Sequence, residues 1–397
     1  MIYIILLIFL SIPVVKYDLL AKKGGENLWF YSSLVFLILV AGLRYRVGGD
    51  TLVYMVEFNT YPKLDELKYF DFETARFNPL WYILNAICRT ICDSFTFFQF
   101  VHAIILNGTF FWFFRKYCPR YFFSAILVWF VGYWCYLSME ILRESLSICM
   151  LLWATDWLLE RKYLRFYLMC VLGLLMHYSS IVMLILPLAL VLLKRPNWKL
   201  QLILLGVIVV FTLIINLPLV VLNLVSFNEN IEAIVEFYFD EGKRNINGIL
   251  VAFIGYLPVL GVIWLREKNS LKDDEYDFMP IVSCIFLFTG LSFYIGTAER
   301  FLYYLVPYFV VCLVNTVYDL LAEHDWRNRH VSAVVTACVA LLLSTSYMDY
   351  YFRDRSDVYP NTRSYSIFVP YYTVFNPTVD NKRESYVENL RDFAIMF

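Results

Sequence analysis

Two arginines, a glycine pair, an aspartate and two tyrosines fall together in Leu43–Tyr54, Leu-Arg-Tyr-Arg-Val-Gly-Gly-Asp-Thr-Leu-Val-Tyr, where the apolar run Leu28–Leu43 stops. Arg44 supplies a planar fork that grips phosphate through paired hydrogen bonds. Gly48 and Gly49 let backbone approach a ligand closely. Asp50 can orient an arginine or accept a proton, and Tyr45 and Tyr54 offer ring faces and hydroxyls. At the mouth of a membrane helix this is the chemistry of a site for an anionic substrate. The plainer alternative is an interfacial belt of arginine and tyrosine closing a helix on a glycine turn.

Three later stretches carry similar chemistry. Glu140, Arg143, Glu144 and Ser147 open an apolar run at Ile141–Leu159. Charges at the edge of a membrane span are costly and ask for a partner or a ligand, so Arg143 is either half of an ion pair with Glu140 or Glu144, or an anchor for phosphate entering between helices. His177, Tyr178, Ser179 and Ser180 interrupt another apolar run. Histidine there is either a hydrogen-bonded core residue or a base acting on a sugar hydroxyl near neutral pH. Glu299 and Arg300, followed by Tyr303 and Tyr304, place an acid, an arginine and two rings at the start of a third span. Arg44, Arg143 and Arg300 in one small bundle repel one another unless a multivalent anion such as pyrophosphate balances them. In the tail, Pro370-Tyr371-Tyr372 offers aromatic faces of the kind that hold sugars, or a segment resting on lipid headgroups.

The elements that must position these residues are membrane helices. The chain is 60% hydrophobic and only 17% charged, well under the roughly 25% typical of soluble domains. Apolar runs recur from Ile2–Leu20 to Val331–Tyr347, long enough for a polytopic all-α membrane protein with about 12–13 spans. The first residues lack a basic region and a cleavage site, and read as a retained span. The run Tyr163–Leu193 is too long for one span and too short for two. It reads as two helices meeting at His177 or one helix broken there, and such a break is tolerated only where protein or a wet cavity satisfies the backbone. Lys16, Lys22, Lys23, Arg115, Lys116, Arg120, Arg161, Lys162 and Arg165 mark the cytoplasmic loops, which leaves Arg44–Phe77, Ser138–Glu140, the His177 break and the tail outside. The count of crossings between Arg44 and Arg115 is then one too many. Asn78–Cys92, short and carrying Arg89, reads as re-entrant or interfacial. The stretch around Ile231–Tyr238 alternates apolar and acidic residues as a surface-lying amphipathic helix does. The division expected is a transmembrane domain over 1–348 and a tyrosine-rich extracytoplasmic tail over 349–397.

Other chemistries find no support. No Walker loop, nucleophile elbow or dinucleotide fingerprint occurs, and the His and Cys spacing suits no metal. A net charge of −1 without a basic tract gives nucleic acid nothing to hold. Most of the nine cysteines lie within apolar runs as small buried hydrophobes. No cofactor is expected.

Taken in order, Arg44-Tyr45-x-x-Gly48-x-Asp50-x-x-x-Tyr54, Arg143 with Ser147, His177-Tyr178-Ser179, Glu299-Arg300-x-x-Tyr303 and Val369-Pro370-Tyr371 resemble the EpsG/Wzy-like family of bacterial polysaccharide polymerases over nearly the whole chain. The sequence departs from that pattern at Glu144, where glutamine is usual, and at Glu140, where a neutral polar residue is usual. The resemblance implies a bundle similar to the GT-C class in the bacterial inner membrane. It implies an enzyme that joins oligosaccharide repeat units carried on undecaprenyl pyrophosphate at the outer face, for capsule, exopolysaccharide or O-antigen. It implies that Arg44, Arg143 and Arg300 hold the leaving pyrophosphate without a metal. His177, or else Asp50 or Glu299, is the base, with Tyr45, Tyr54, Glu140, Tyr178, Tyr303, Tyr304 and Tyr371 around the substrate. A chain-length regulator and a flippase are the partners it implies. Two rivals stand beside it: an O-antigen-ligase-like transferase, and a lipid-linked-sugar flippase or other transporter.

Overall fold

The computed structural model describes residues 1–72, 75, 77–193, 197–214, 246–268, 276–292, 300–323, 354 and 363–385. Among them there are helices, turns and isolated bridges but no strand. The protein is an all-α polytopic membrane protein. Among the described residues, four helical stretches are long and apolar enough to cross a membrane: Ile2–Leu19, Phe95–Tyr117, Pro119–Met139 and Arg300–Ala322. Shorter apolar helices cover Glu26–Gly42, Tyr163–Met176, Tyr178–Leu192, Trp198–Val210 and Met279–Ser292. The expected helix around Ile231–Tyr238 and the span Val331–Tyr347 lie outside the described residues.

The chain divides into two compact units, Met1–Ile185 with Tyr350–Asp392, and Leu186–Asp349 with Phe393–Phe397. In the first unit the helices are α1 (Ile2–Pro13, continued by a π-helical turn to Leu19), α2 (Glu26–Gly42), α3 (Gly49–Glu57), α4 (Pro79–Ile91), α5 (Phe95–Tyr117), α6 (Phe122–Trp129), α7 (Cys135–Met139), α8 (Leu142–Leu159) and α9 (Tyr163–Met176). A 3₁₀ segment, Tyr178–Ile185, follows α9. The second unit holds α10 (Leu186–Leu192), α11 (Trp198–Ile214), α12 (Ile246–Lys268), α13 (Met279–Ser292) and α14 (Arg300–Glu323), with α13 packed against the other four.

In the first unit α2 packs on α5, α5 on α8, and α8 on α9. Aromatic rings fill the space between them. Phe110 stacks on Trp129 at 4.5 Å between ring centres. Small residues let backbones close up, as membrane interfaces require: a Cβ on Gly42 of α2 would lie 2.6 Å from the Phe100 ring on α5. Some polar groups inside the bundle pair with one another, as when Trp134 donates to Asn107 Oδ1 at 2.8 Å.

The two ends of the bundle differ. At one end Arg115 donates to Asn27 (3.0 Å), Lys116 pairs with Asp156, and the Ser124 hydroxyl and amide both donate to Asp18. At the other lie the loop after α2, the break between α7 and α8, and the end of α9. Helix α4 has 13 residues. At 1.5 Å rise per residue it reaches about 20 Å, short of the ~30 Å hydrocarbon core. Helix α5, with 23 residues, has the length and composition of a crossing.

Candidate active site

The loop after α2 is built by buried contacts. Arg44 is fully buried. Its guanidinium donates to the Ala41 carbonyl, to the Val47 carbonyl (3.1 Å) and to Thr51 Oγ1 (3.0 Å). Gln99 of α5 donates to the Arg44 carbonyl (3.2 Å). Here the structure departs from the expectation of Arg44 as a phosphate fork. A guanidinium leaving water must meet its donors with acceptors, and the end of α2 provides carbonyls that lack helical partners. Burial draws its pKa down to about 10, while Tyr371, Tyr3 and Glu140 pull the other way. Arg44 shapes the turn.

The glycines serve close packing. Gly48 has φ +104°, and a Cβ there would sit 1.9 Å from the Met139 carbonyl oxygen. A Cβ on Gly49 would meet the Glu140 carboxylate at 2.6 Å. The α7–α8 break therefore presses directly on this turn. Thr51 Oγ1 donates to the Met139 carbonyl (2.6 Å). Glu140 accepts the opening amides of α3, from Gly49 (2.5 Å) and Asp50 (3.2 Å), as a capping carboxylate does at a helix N-terminus. Burial, then the charge of Asp50, pushes the Glu140 carboxyl well above the ordinary carboxylate range against the pull of those amides and of Arg44.

Arg143 opens α8 and is presented differently. Its Nε donates to the Tyr54 hydroxyl at 3.1 Å. Its guanidinium carbon stands 3.9 Å from the centre of the Phe77 ring. Among the described residues, no group accepts a hydrogen bond from its two terminal nitrogens. Asp50 supplies the carboxylate charge that Arg143 feels. Tyr54, Phe77, Trp81, Leu142 and Met176 form one buried cluster under this arginine. Phe77 and Tyr54 thus fix the plane of the guanidinium.

One residue on, Glu144 is buried and accepts from Ser179 Oγ at 3.0 Å. Ser179 Oγ lies 2.6 Å from His177 Nδ1. The helix breaks at His177, which adopts extended backbone (φ −157°, ψ 133°) after α9. Of the carbonyls freed at the break, Leu174 O accepts from Asn78 Nδ2 (2.9 Å) and His177 O from Ser180 Oγ (2.8 Å), as backbone at membrane depth demands. Gly173 O keeps its helical bond to the His177 amide (2.8 Å) and also accepts from Ser147 Oγ (3.1 Å). Tyr178 is 73% exposed and turns outward.

The tail folds back onto the same loop. The Tyr371 hydroxyl donates to the Val40 carbonyl (2.7 Å), and its ring meets Tyr3 edge to face. The Tyr45 and Gly48 amides donate to the Tyr372 and Ile367 carbonyls, both at 2.9 Å. Arg383, buried, donates to the carbonyls of Ser366 (3.1 Å), Arg46 (2.6 Å) and Pro370. Glu384 pairs with Arg46. Neither Arg383 nor Glu384 stands out in the sequence, since both sit in a mixed polar stretch.

The first unit thus brings together Asp50, Tyr54, Glu140, Arg143 and the Glu144–Ser179–His177 chain, with Tyr45 and Tyr371 at its edge. Arg300, Tyr303 and Tyr304 lie on α14 in the second unit, Tyr304 buried there. Glu299 lies outside the described residues. His102 was not anticipated: it is buried on α5, with Nε2 at 3.1 Å from the Leu142 carbonyl and 2.9 Å from Ser145 Oγ, and it ties α5 to the start of α8. Its position within an apolar run is the one signal the sequence offers. Among the described residues no three His, Cys, Asp or Glu side chains gather as a metal site would require.

A family model described as the EpsG family matches residues 27–371, most of the chain. Among curated proteins and solved structures, nothing matches the chain.

Proposed function

The chain belongs to the EpsG family, a family of Wzy-like polysaccharide polymerases, and on that premise we propose that it is a glycosyltransferase polymerising undecaprenyl-pyrophosphate-linked repeat units at the outer face of the bacterial inner membrane. The single observation that carries this reading is Arg143. A buried aromatic cluster and the Tyr54 hydroxyl hold its guanidinium in one plane, its two terminal nitrogens unpaired among the described residues. That arrangement suits a pyrophosphate oxygen pair.

In the reaction, an acceptor sugar hydroxyl attacks the anomeric carbon of the donor. The new glycosidic C–O bond forms as the bond to the lipid pyrophosphate breaks. Negative charge grows on the departing pyrophosphate, and Arg143 meets it from a position fixed beforehand. Arg44 acts one step back by shaping the turn that carries Asp50. The hydroxyl proton passes to His177, with Asp50 as the second choice for the base. With arginine meeting the developing charge, the reaction runs without a divalent cation. Lys and Arg gathered at the far end of the bundle support a cytoplasmic placement of that end and an outer placement of Arg143.

The test incubates the purified full-length protein, with chelator, with undecaprenyl-pyrophosphate-linked oligosaccharide extracted from host cells lacking this chain. Products are resolved by mass. A ladder of lipid-linked glycans growing by whole repeat units is the expected result. Recovery of intact substrate, under conditions where unpurified membranes of the same cells make polymer, overturns the reading.

A further inference from the structure

The exposed side of α1 carries a groove that ends among lysines. A cavity of about 640 Å³ runs along Leu7, Ile8, Ser11 and Ile12 to Lys16 and Lys22. Ile8 and Ile12 are exposed. The Ser11 hydroxyl turns back to the Leu7 carbonyl (2.7 Å), so the wall of the groove is apolar up to its basic rim. We propose that this groove is a binding site for an anionic membrane phospholipid, with its phosphate at Lys16 and Lys22 and an acyl chain along α1.

The two lysines share a rim because the chain doubles back. Helix α1 passes into its π-helical turn after Pro13, and Ala21 adopts a left-handed φ of 48°. The Lys22 amide then donates to the Lys16 carbonyl at 3.0 Å. Lys16 Nζ stands 4.7 Å from the centre of the Tyr17 ring and reaches the Gly24 carbonyl at 3.5 Å. The Tyr17 hydroxyl donates to that same carbonyl (2.9 Å). The head of Lys16 is thus placed before a ligand arrives, which lowers the cost of ordering it on binding. Among the described residues no carboxylate pairs with Lys16 or Lys22. Asp18, the carboxylate nearest to Lys16 in sequence, accepts instead from the Ser124 amide (2.6 Å) and hydroxyl (2.7 Å).

Two cations without a counter-ion, at one end of an apolar groove, match a ligand that is anionic at its head and apolar along its length. The length also fits. From Leu7 to Lys16 the helix rises about 13 Å, close to the ~15 Å depth of one leaflet, half of the hydrocarbon core. An acyl chain hanging from a glycerol phosphate spans that depth, whereas a polyprenyl chain far exceeds it. A choline headgroup brings a cation up to the lysines, so a headgroup of net negative charge is preferred.

The test measures lipid retention by native mass spectrometry of the purified full-length protein, titrated in detergent with phosphatidylglycerol, phosphatidylcholine or undecaprenyl phosphate, with and without inorganic phosphate. Phosphatidylglycerol is expected to bind at least about tenfold more tightly than phosphatidylcholine, and Lys22→Gln to weaken it about fivefold. Lys16→Gln combined with Lys22→Gln removes the preference, and the matching pair of Lys→Arg changes keeps it. Ile8→Trp fills the groove, leaves the charges and weakens phosphatidylglycerol. Equal retention of the two phospholipids by the original protein, or a preference that survives both Lys→Gln changes, overturns the site. Binding unchanged by Ile8→Trp reduces it to surface charge and overturns the groove. Displacement by inorganic phosphate, or tighter binding of undecaprenyl phosphate, overturns the assignment to a phospholipid. Lys22 is exposed, so Lys22→Gln alone decides the question if the double change impairs folding.

Discussion

Glu140 reaches from the α7–α8 break to the first amide of α3, its carboxylate 2.5 Å from the Gly49 nitrogen. The contact looks favourable, yet burial and the nearby Asp50 raise the carboxyl above its ordinary 4.5. The folded protein then holds a proton that the unfolded chain has released, so stability is greatest below the ordinary value and falls as pH climbs through the raised one. The midpoint of thermal unfolding in detergent is expected to drop between pH 5 and 8, and Glu140→Gln to flatten that slope. A slope as steep in Glu140→Gln as in the original protein contradicts the assignment.

Arg143 is gripped by its shape as well as its charge. Lysine cannot reproduce the Nε bond to Tyr54 or the stacking on Phe77. Arg143→Lys and Arg143→Ala are both expected to lose at least about a hundredfold in polymerisation rate. Tyr54→Phe removes one hydrogen bond to a charged group and is expected to cost about tenfold. Chain-length distributions from matched amounts of folded protein measure all three, and a fully active Arg143→Lys refutes the bidentate role.

Gly48 and Gly132 make a controlled pair. At Gly48 a methyl group meets both a positive φ and a carbonyl at 1.9 Å, whereas at Gly132 nothing lies within 4 Å. Gly48→Ala is expected to cost ~3 kcal/mol or more and to yield little folded protein. Gly132→Ala is expected to express and unfold as the parent does. Fluorescence-detected size exclusion after a heating series separates the two.

Arg383 leaves three backbone carbonyls without donors when it is lost. Arg383→Ala is expected to destabilise the protein by about 2–4 kcal/mol and to abolish polymerisation, although the residue lies outside the family-matched stretch. Arg46→Ala and Glu384→Ala are each milder, because that pair is partly solvated, and the double variant is expected to cost less than their sum. A thermal midpoint series measures the set.

Cys92 closes α4 and is exposed, whereas Cys88, Cys118, Cys149 and Cys170 are buried. On the proposed orientation, a membrane-impermeant maleimide is expected to label Cys92 on intact cells, and Cys92→Ser to remove that label. Labelling of Cys92 only after permeabilisation reverses the proposed orientation.

The helices and the break were legible because their signals are local. His177 and two serines inside an apolar run cannot continue a membrane helix without help, and α4 is short whatever surrounds it. Pairings between distant positions leave no such mark. Nothing around Arg44 shows that Ala41, Val47 and Thr51 will take all three of its nitrogens, since an arginine after a span reads the same whether it faces in or out. Glu144 and Ser179 stand 35 residues apart, and no periodicity ties them. Arg383 is one charge among many until the chain returns on itself.

That return has a consequence for how the protein is made. Arg46 meets Glu384 across 338 residues, and the Val40 carbonyl meets Tyr371 across 331. The ribosome has inserted nearly every helix before the strap that sets the Gly48–Asp50 turn exists. A nascent chain can thus reside in the bilayer, surrounded by lipid-linked sugar, with its turn still unset. Competence arrives late in translation, and a message cut short upstream of residue 366 yields a membrane protein that is present but silent.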